Sequence, residues 1–138
     1  MRHDDDILLA VVDAHETLVR VKALVSPELP EEEAGFALGF DRSVVFVFVD
    51  PELDEVRVTS SMPAGLERAI FRAADVWERA VGCSVLWAWT LVNQQGYGDG
   101  LQLAFHRPGT GVECVTIQLV GCASILEVHE VKRVTRSE

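Results

Sequence analysis

Apolar and polar residues alternate along most of this chain, and the period is two far more often than 3.6. In "TLVRVKALV", Val19, Val21, Ala23 and Val25 alternate with Arg20 and Lys22, the pattern of a half-buried strand. The preceding "DDILLAVVDA" fits a short helix and a strand equally. Phe36, Leu38 and Phe40 alternate with small residues, which suits a strand with one crowded face. "SVVFVFVD" is β-branched and aromatic on both faces and predicts a strand buried on both sides. After a "DPELDE" turn, in which Pro51 fixes φ, "EVRVTSS" returns with Val56 and Val58 inward, completing a hairpin.

One segment carries the helical period. In "PAGLERAIFRAADVWERAVG", Leu66, Ile70, Ala73, Ala74, Trp77 and Val81 fall at i, i+4, i+7, i+8, i+11 and i+15. Pro63 suits a first turn and Gly82 suits the left-handed residue after a last one, so the spacing predicts a principal amphipathic helix over about 63–81, lying on a sheet. The C-terminal third then reads as four strands: "SVLWAWTLV", "GLQLAFH", "VECVTIQLV" and "ASILEVHEVKRV".

Strands, one helix and strands again, with short local connections, predict an α+β fold with mainly antiparallel sheet: seven or eight strands in two meanders. A weak internal echo supports the pairing of halves. "GFALGFDRSVVFVFVDPELDEVRV" and "GLQLAFHRPGTGVECVTIQLVGCASILEV" both run glycine, alternating apolar residues ending in Phe, a turn, a strand and another strand. Antiparallel strands share such patterns in any case. Ser26–Gly35, with two prolines and four glutamates, reads as an exposed acidic loop.

Composition narrows the function classes. At 138 residues the chain is expected to be one domain, 1–138, with 49% hydrophobic and 25% charged residues. No apolar run approaches the ~20 residues that a spanning helix needs. The acidic start "MRHDDD" lacks the basic region of a signal peptide, and a cytoplasmic location is expected. A net charge of −10 disfavours nucleic acid and anionic membranes as partners, and suits solubility or attraction to a basic protein. Cys83, Cys114 and Cys122 are odd in number and lack a Cys-x-x-Cys pair, so no disulfide framework is expected.

The catalytic and metal motifs fail one by one. The chain has no Gly-x-Ser-x-Gly elbow, no phosphate-binding Gly-x-x-x-x-Gly-Lys loop and no His-Glu-x-x-His. "GYGDG" precedes a strand, so it lacks the helix N-terminus that would cradle a phosphate. His106, Cys114, Cys122 and His129 are too evenly spread for zinc knuckles. Asp50, Glu52, Asp54 and Glu55 surround a turn without the glycine and distal glutamate of a calcium loop. His15 stands in a polar turn, where a solvated histidine is expected. No catalytic residue, metal or cofactor is therefore assigned.

The most distinctive stretch is "WAWTLVNQQGYGDGLQLAF", Trp87–Phe105. Strict alternation puts Val85, Trp87, Trp89, Leu91 and Asn93 on one face, with Leu101, Leu103 and Phe105 together on the next strand. One tryptophan then faces Trp77 across the core, and nearby amides satisfy its indole N–H. The competing reading makes Trp87, Trp89, Asn93, Gln95, Tyr97, Asp99 and Gln102 a recognition surface, since such residue types are enriched at binding hot spots. Asp99 and His106 are the one conceivable acid–base pair, with no nucleophile beside them.

"AWTLVNQQGYGDGLQLAF", "VTIQLVGCAS" and "FVFVDPELDEVRV" together resemble an uncharacterised family of small bacterial proteins, a domain of unknown function. The core of the resemblance is N-x-x-G-Y-x-D-G-L, carried by Asn93, Gly96, Tyr97, Asp99, Gly100 and Leu101. The resemblance implies no activity and assigns no catalytic roles. The architecture is also broadly similar to bacterial immunity proteins, which bind and block a toxin. The expected function is thus non-enzymatic protein binding, immunity-type or regulatory, with a basic partner. The alternatives are a small-molecule site or undetected enzyme around Trp87, Trp89, Tyr97, Asp99 and His106, and a homodimeric structural module.

Overall fold

A computed structural model describes residues 3–25, 27, 33–50, 55–63, 70–96, 98–122 and 125–131. The chain begins with helix α1, His3–Asp13, then forms strands β1 (Leu18–Val25), β2 (Glu33–Phe40), β3 (Val44–Asp50), β4 (Glu55–Thr59) and β5 (Ile70–Ala73). A short 3-10 helix, Asp75–Ala80, leads into β6 (Ser84–Val92), β7 (Gly98–His106), β8 (Glu113–Cys122) and β9 (Ile125–Glu130). All pairings among the described residues are antiparallel. One sheet has the order β4-β3-β2-β1-β5 and the other β6-β7-β8-β9, so two four-stranded meanders carry the fold, as the alternation predicts.

The expected helix over 63–81 is not what forms. Residues 64–69 lie outside the described residues; of the rest, Ile70–Ala73 pairs with β1 and only Asp75–Ala80 is helical, in the tighter 3-10 form. Both outcomes have a physical cause. The open edge of β1 offers Lys22–Val25 as hydrogen-bonding partners, and tertiary pairing outweighs the local helix preference. Three residues per turn then align Ala74, Trp77 and Ala80 on the inward face, whereas the α-helical period would bury Val81, which is 43% exposed. Gly82 follows with φ +89°, the left-handed conformation expected of it.

The two meanders repeat each other residue for residue. In β1–β2, Leu18 lies opposite Phe40, Val19 is extra, and Arg20, Val21, Lys22, Ala23 and Leu24 lie opposite Gly39, Leu38, Ala37, Phe36 and Gly35. In β6–β7, Val85 lies opposite Phe105, Leu86 is extra, and Trp87, Ala88, Trp89, Thr90 and Leu91 lie opposite Ala104, Leu103, Gln102, Leu101 and Gly100. The bulge falls at the same place in both. The next pairs follow suit: Val45 and Val47 in β3 take the places of Ile117 and Leu119 in β8. The echo in the sequence is therefore a repeated register.

Glycine is required once in each repeat. A Cβ at Gly35 would lie 2.6 Å from the carbonyl oxygen of Val47, and one at Gly100 would lie 3.1 Å from that of Leu119, the equivalent residue. Inner faces of both sheets meet in one core, where Trp77 from the 3-10 helix stands between Phe36 of β2 and Phe105 of β7, at centroid distances of 5.5 and 6.1 Å. Leu8 and Val11 of α1 close the core on one side. The helix is tied to the β2–β3 turn by Glu16, whose buried carboxylate accepts hydrogen bonds from the Arg42 N–H and the Ser43 hydroxyl. Thr17, just before β1, forms an isolated antiparallel bridge with Ser84 at the start of β6.

The cysteines depart from the expected absence of a disulfide framework. Cys83, before β6, and Cys114, in β8, form a disulfide. An odd cysteine count excludes a full pairing of all three, not a single bridge. Beside it, Arg79 donates to the Cys114 carbonyl and pairs with Glu130, fastening the 3-10 helix to β8 and β9.

Two stability measurements follow. Chemical denaturation of Gly35→Ala should show a loss of about 2–3 kcal/mol, since a backbone oxygen blocks the added methyl. Gly100→Ala should lose less, because its nearest neighbour is the movable Leu91 Cδ1 at 2.9 Å. Reduction of the Cys83–Cys114 bridge, which spans 31 residues, should lower stability by about 3–4 kcal/mol through loop entropy, read as a fall in Tm. An unchanged Tm on reduction would mean that the bridge constrains little.

Candidate functional site

The extra residue in β6 decides where the tryptophans point. Strict alternation groups Val85 with Trp87 and Trp89. Instead the bulge at Leu86 keeps Val85 and Ala88 toward the core and turns Trp87 and Trp89 outward. Neither tryptophan meets Trp77. Trp87 is 59% exposed and Trp89 44%, while Trp77 is wholly buried. The same device acts in β1, where alternation predicts Val19 inside and the residue is 48% exposed.

On the outer face of the second sheet, cross-strand rows bring together residues distant in sequence. Trp89 lies opposite Gln102, Gln102 opposite Gln118, and Gln118 opposite His129. The adjacent row is Trp87, Ala104 and Thr116. The small side chain of Ala104 lies opposite Trp87, and Leu91 lies over Gly100. Trp87, Trp89 and Gln102 are thus one surface, and Gln118 and His129 extend it.

Asn93, Gln95 and Asp99 belong to the adjoining β6–β7 turn. The Asn93 side-chain oxygen accepts from the Gln95 N–H at 2.9 Å, and its amide donates to the Asp99 carboxylate at 3.2 Å. Gly96 takes φ +87°, donates its N–H to the Asn93 carbonyl and closes the turn. From β4, the Glu55 carboxylate accepts the Gly98 N–H at 2.9 Å and so anchors the hairpin to the first meander. Tyr97 lies outside the described residues.

The other chemical candidates separate in space. Asp99 and His106 stand at opposite ends of β7, about 23 Å apart at ~3.3 Å per residue. His106 is buried, and Cys114 is engaged in the disulfide. His15 is exposed and takes a positive φ of 51° in the turn after α1. Among the described residues, no group of three or more His, Cys, Asp or Glu side chains is placed to hold a metal ion.

A feature that alternation alone does not reveal is a groove of about 480 Å³ between α1 and β6. Leu8, Leu9 and Val12 line its helix side, and Leu86, Trp87 and Ala88 its strand side. Its polar side chains are Asp13 and Thr90. Leu9 is 57% exposed on the rim. The sequence signal was available in the charge pattern, since no charged residue occurs between Arg79 and Asp99.

A sequence-family model described as a family of unknown function, DUF6334, matches residues 6–135. No curated protein and no solved structure matches the chain. No helix among the described residues is long and apolar enough to cross a membrane.

Alanine substitutions separate the three tryptophans. Trp77→Ala should cost about 3–5 kcal/mol in denaturant, the toll of emptying a packed aromatic site. Trp87→Ala and Trp89→Ala should each stay within about 1 kcal/mol of the parent, as expected of exposed positions. A large loss at Trp87 would place it in the core instead.

Proposed function

The chain belongs to a family of unknown function, DUF6334, and we propose that it is a non-enzymatic protein-binding module, immunity-type or regulatory, of a bacterial cell. One observation carries the reading. The two meanders share a register, and the positions of Trp87 and Trp89 in β6 are those of Arg20 and Lys22 in β1. Charged residues serve there in the first sheet, so the fold itself does not require an aromatic side chain. Two exposed indoles beside an amide row then represent recognition chemistry, of the type that concentrates binding energy at protein interfaces.

The net charge of −10 favours a basic partner, with acidic residues at the rim speeding encounter. A cytoplasmic setting accords with such a role. A small-molecule site is the second reading, favoured by the groove under Trp87, whose volume lies within the range of ligand pockets. It draws on Trp87 but not on Asp99, which serves the turn.

Capture of partners from the native host by tagged protein tests the reading. A basic protein should be retained at low salt. Its association rate should fall as salt rises, and Trp87→Ala combined with Trp89→Ala should weaken retention by about 2 kcal/mol or more. Retention of acidic partners only, or an association indifferent to both salt and the double substitution, would contradict it.

A further inference from the structure

The repeated register identifies a place where, among the described residues, one half of the molecule holds a strand and the other half does not. On the side of β1 away from β2, Lys22, Ala23, Leu24 and Val25 pair with Ala73, Arg72, Phe71 and Ile70 of β5. The equivalent residues of β6 from Trp89 onward pair only with β7 among the described residues. Beyond the Thr17–Ser84 bridge, α1 lies beside β6 with no backbone hydrogen bond between them among the described residues, and the groove is lined by both.

Outer strands are normally protected from adventitious pairing by charges or by a cover. β4 carries Glu55 and Arg57, β5 carries Arg72, and β9 carries Glu127 and Glu130. β6 alone among these carries no charged residue. Its outward backbone groups therefore border an apolar groove walled by Leu8, Leu9 and Val12.

We propose that the open edge of β6 receives an extended peptide segment of a partner protein as an added antiparallel strand, its side chains entering the groove against α1. This rests on the protein-binding reading and specifies how the partner docks. Backbone pairing would supply affinity, and the groove would select alternate side chains. The strand held at the equivalent edge indicates the chemistry: Ile-Phe-Arg-Ala, apolar residues with one cation. Asp13 in the groove wall suits that cation. A second copy fits less well, because two-fold pairing of β6 with itself would bring each copy's α1 against the other's edge.

A synthetic peptide with the sequence of Ile70–Ala74 is the probe, beside the same peptide N-methylated at alternate backbone nitrogens. Titration followed by the fluorescence of Trp87 and Trp89 should saturate. N-methylation and Leu9→Glu, checked for folding by circular dichroism, should each weaken binding about tenfold. Backbone amides of β6 that point away from β7 should gain exchange protection on binding. Absence of saturable binding, or equal binding of the N-methylated peptide, would overturn strand addition. If partner capture still depended on Trp87 and Trp89, the protein-binding reading would survive that failure. A dimer in sedimentation equilibrium that protects the same β6 amides would assign the edge to a second copy and overturn the proposal.

Discussion

Between Val85 and Trp87 the backbone of β6 carries one residue more than β7 can pair, and the side-chain direction of the rest of the strand follows from it. A strand has period two, so a single unpaired residue exchanges its faces. Val85 keeps its place in the core beside Phe105. Trp87 and Trp89 are turned out over Ala104 and Gln102, and Leu86 is brought to the wall of the groove. Without the bulge the indoles would enter a core already filled by Trp77, Phe36 and Phe105.

Because β1 carries the same bulge at Val19, the molecule contains its own control. The two meanders agree in register, in the glycine that lets neighbouring backbones approach, and in the residues that β2 and β3, like β7 and β8, send inward. They part company at the outer face and at one edge. The first sheet presents Arg20 and Lys22 and accepts β5, while the second presents Trp87 and Trp89 and leaves its edge to a groove. Stability accounts for what the halves share. Function is sought in what they do not.

Much of this architecture was legible in the sequence, and the reasons for the exceptions are specific. Alternation located the strands of both meanders, and the glycines in "NQQGYGDG" marked a turn. The segment containing Ile70–Ala73 and Trp77 kept a helical period, yet its residues respond to β1's unpaired edge and to 3-10 packing, neither of which a local pattern encodes. Alternation also missed the bulges at Val19 and Leu86, since an inserted residue leaves no composition signal. At the site, Trp87, Trp89 and Gln102 were identified by residue type. Leu8, Leu9 and Val12 were not, because their role depends on where α1 comes to lie. The Cys83–Cys114 bridge likewise depends on β8 reaching the start of β6.

Native-state hydrogen exchange of the free protein tests the central claim most directly, by comparing the two equivalent strands. Amides of Lys22–Val25 lie between β2 and β5 and should exchange slowly whichever way they point. In Trp89–Val92, the amides directed toward β7 should be slow and those directed away from it fast. Uniform protection along β6, matching β1, would mean that its edge is already satisfied and that the two halves do not differ where the account requires them to.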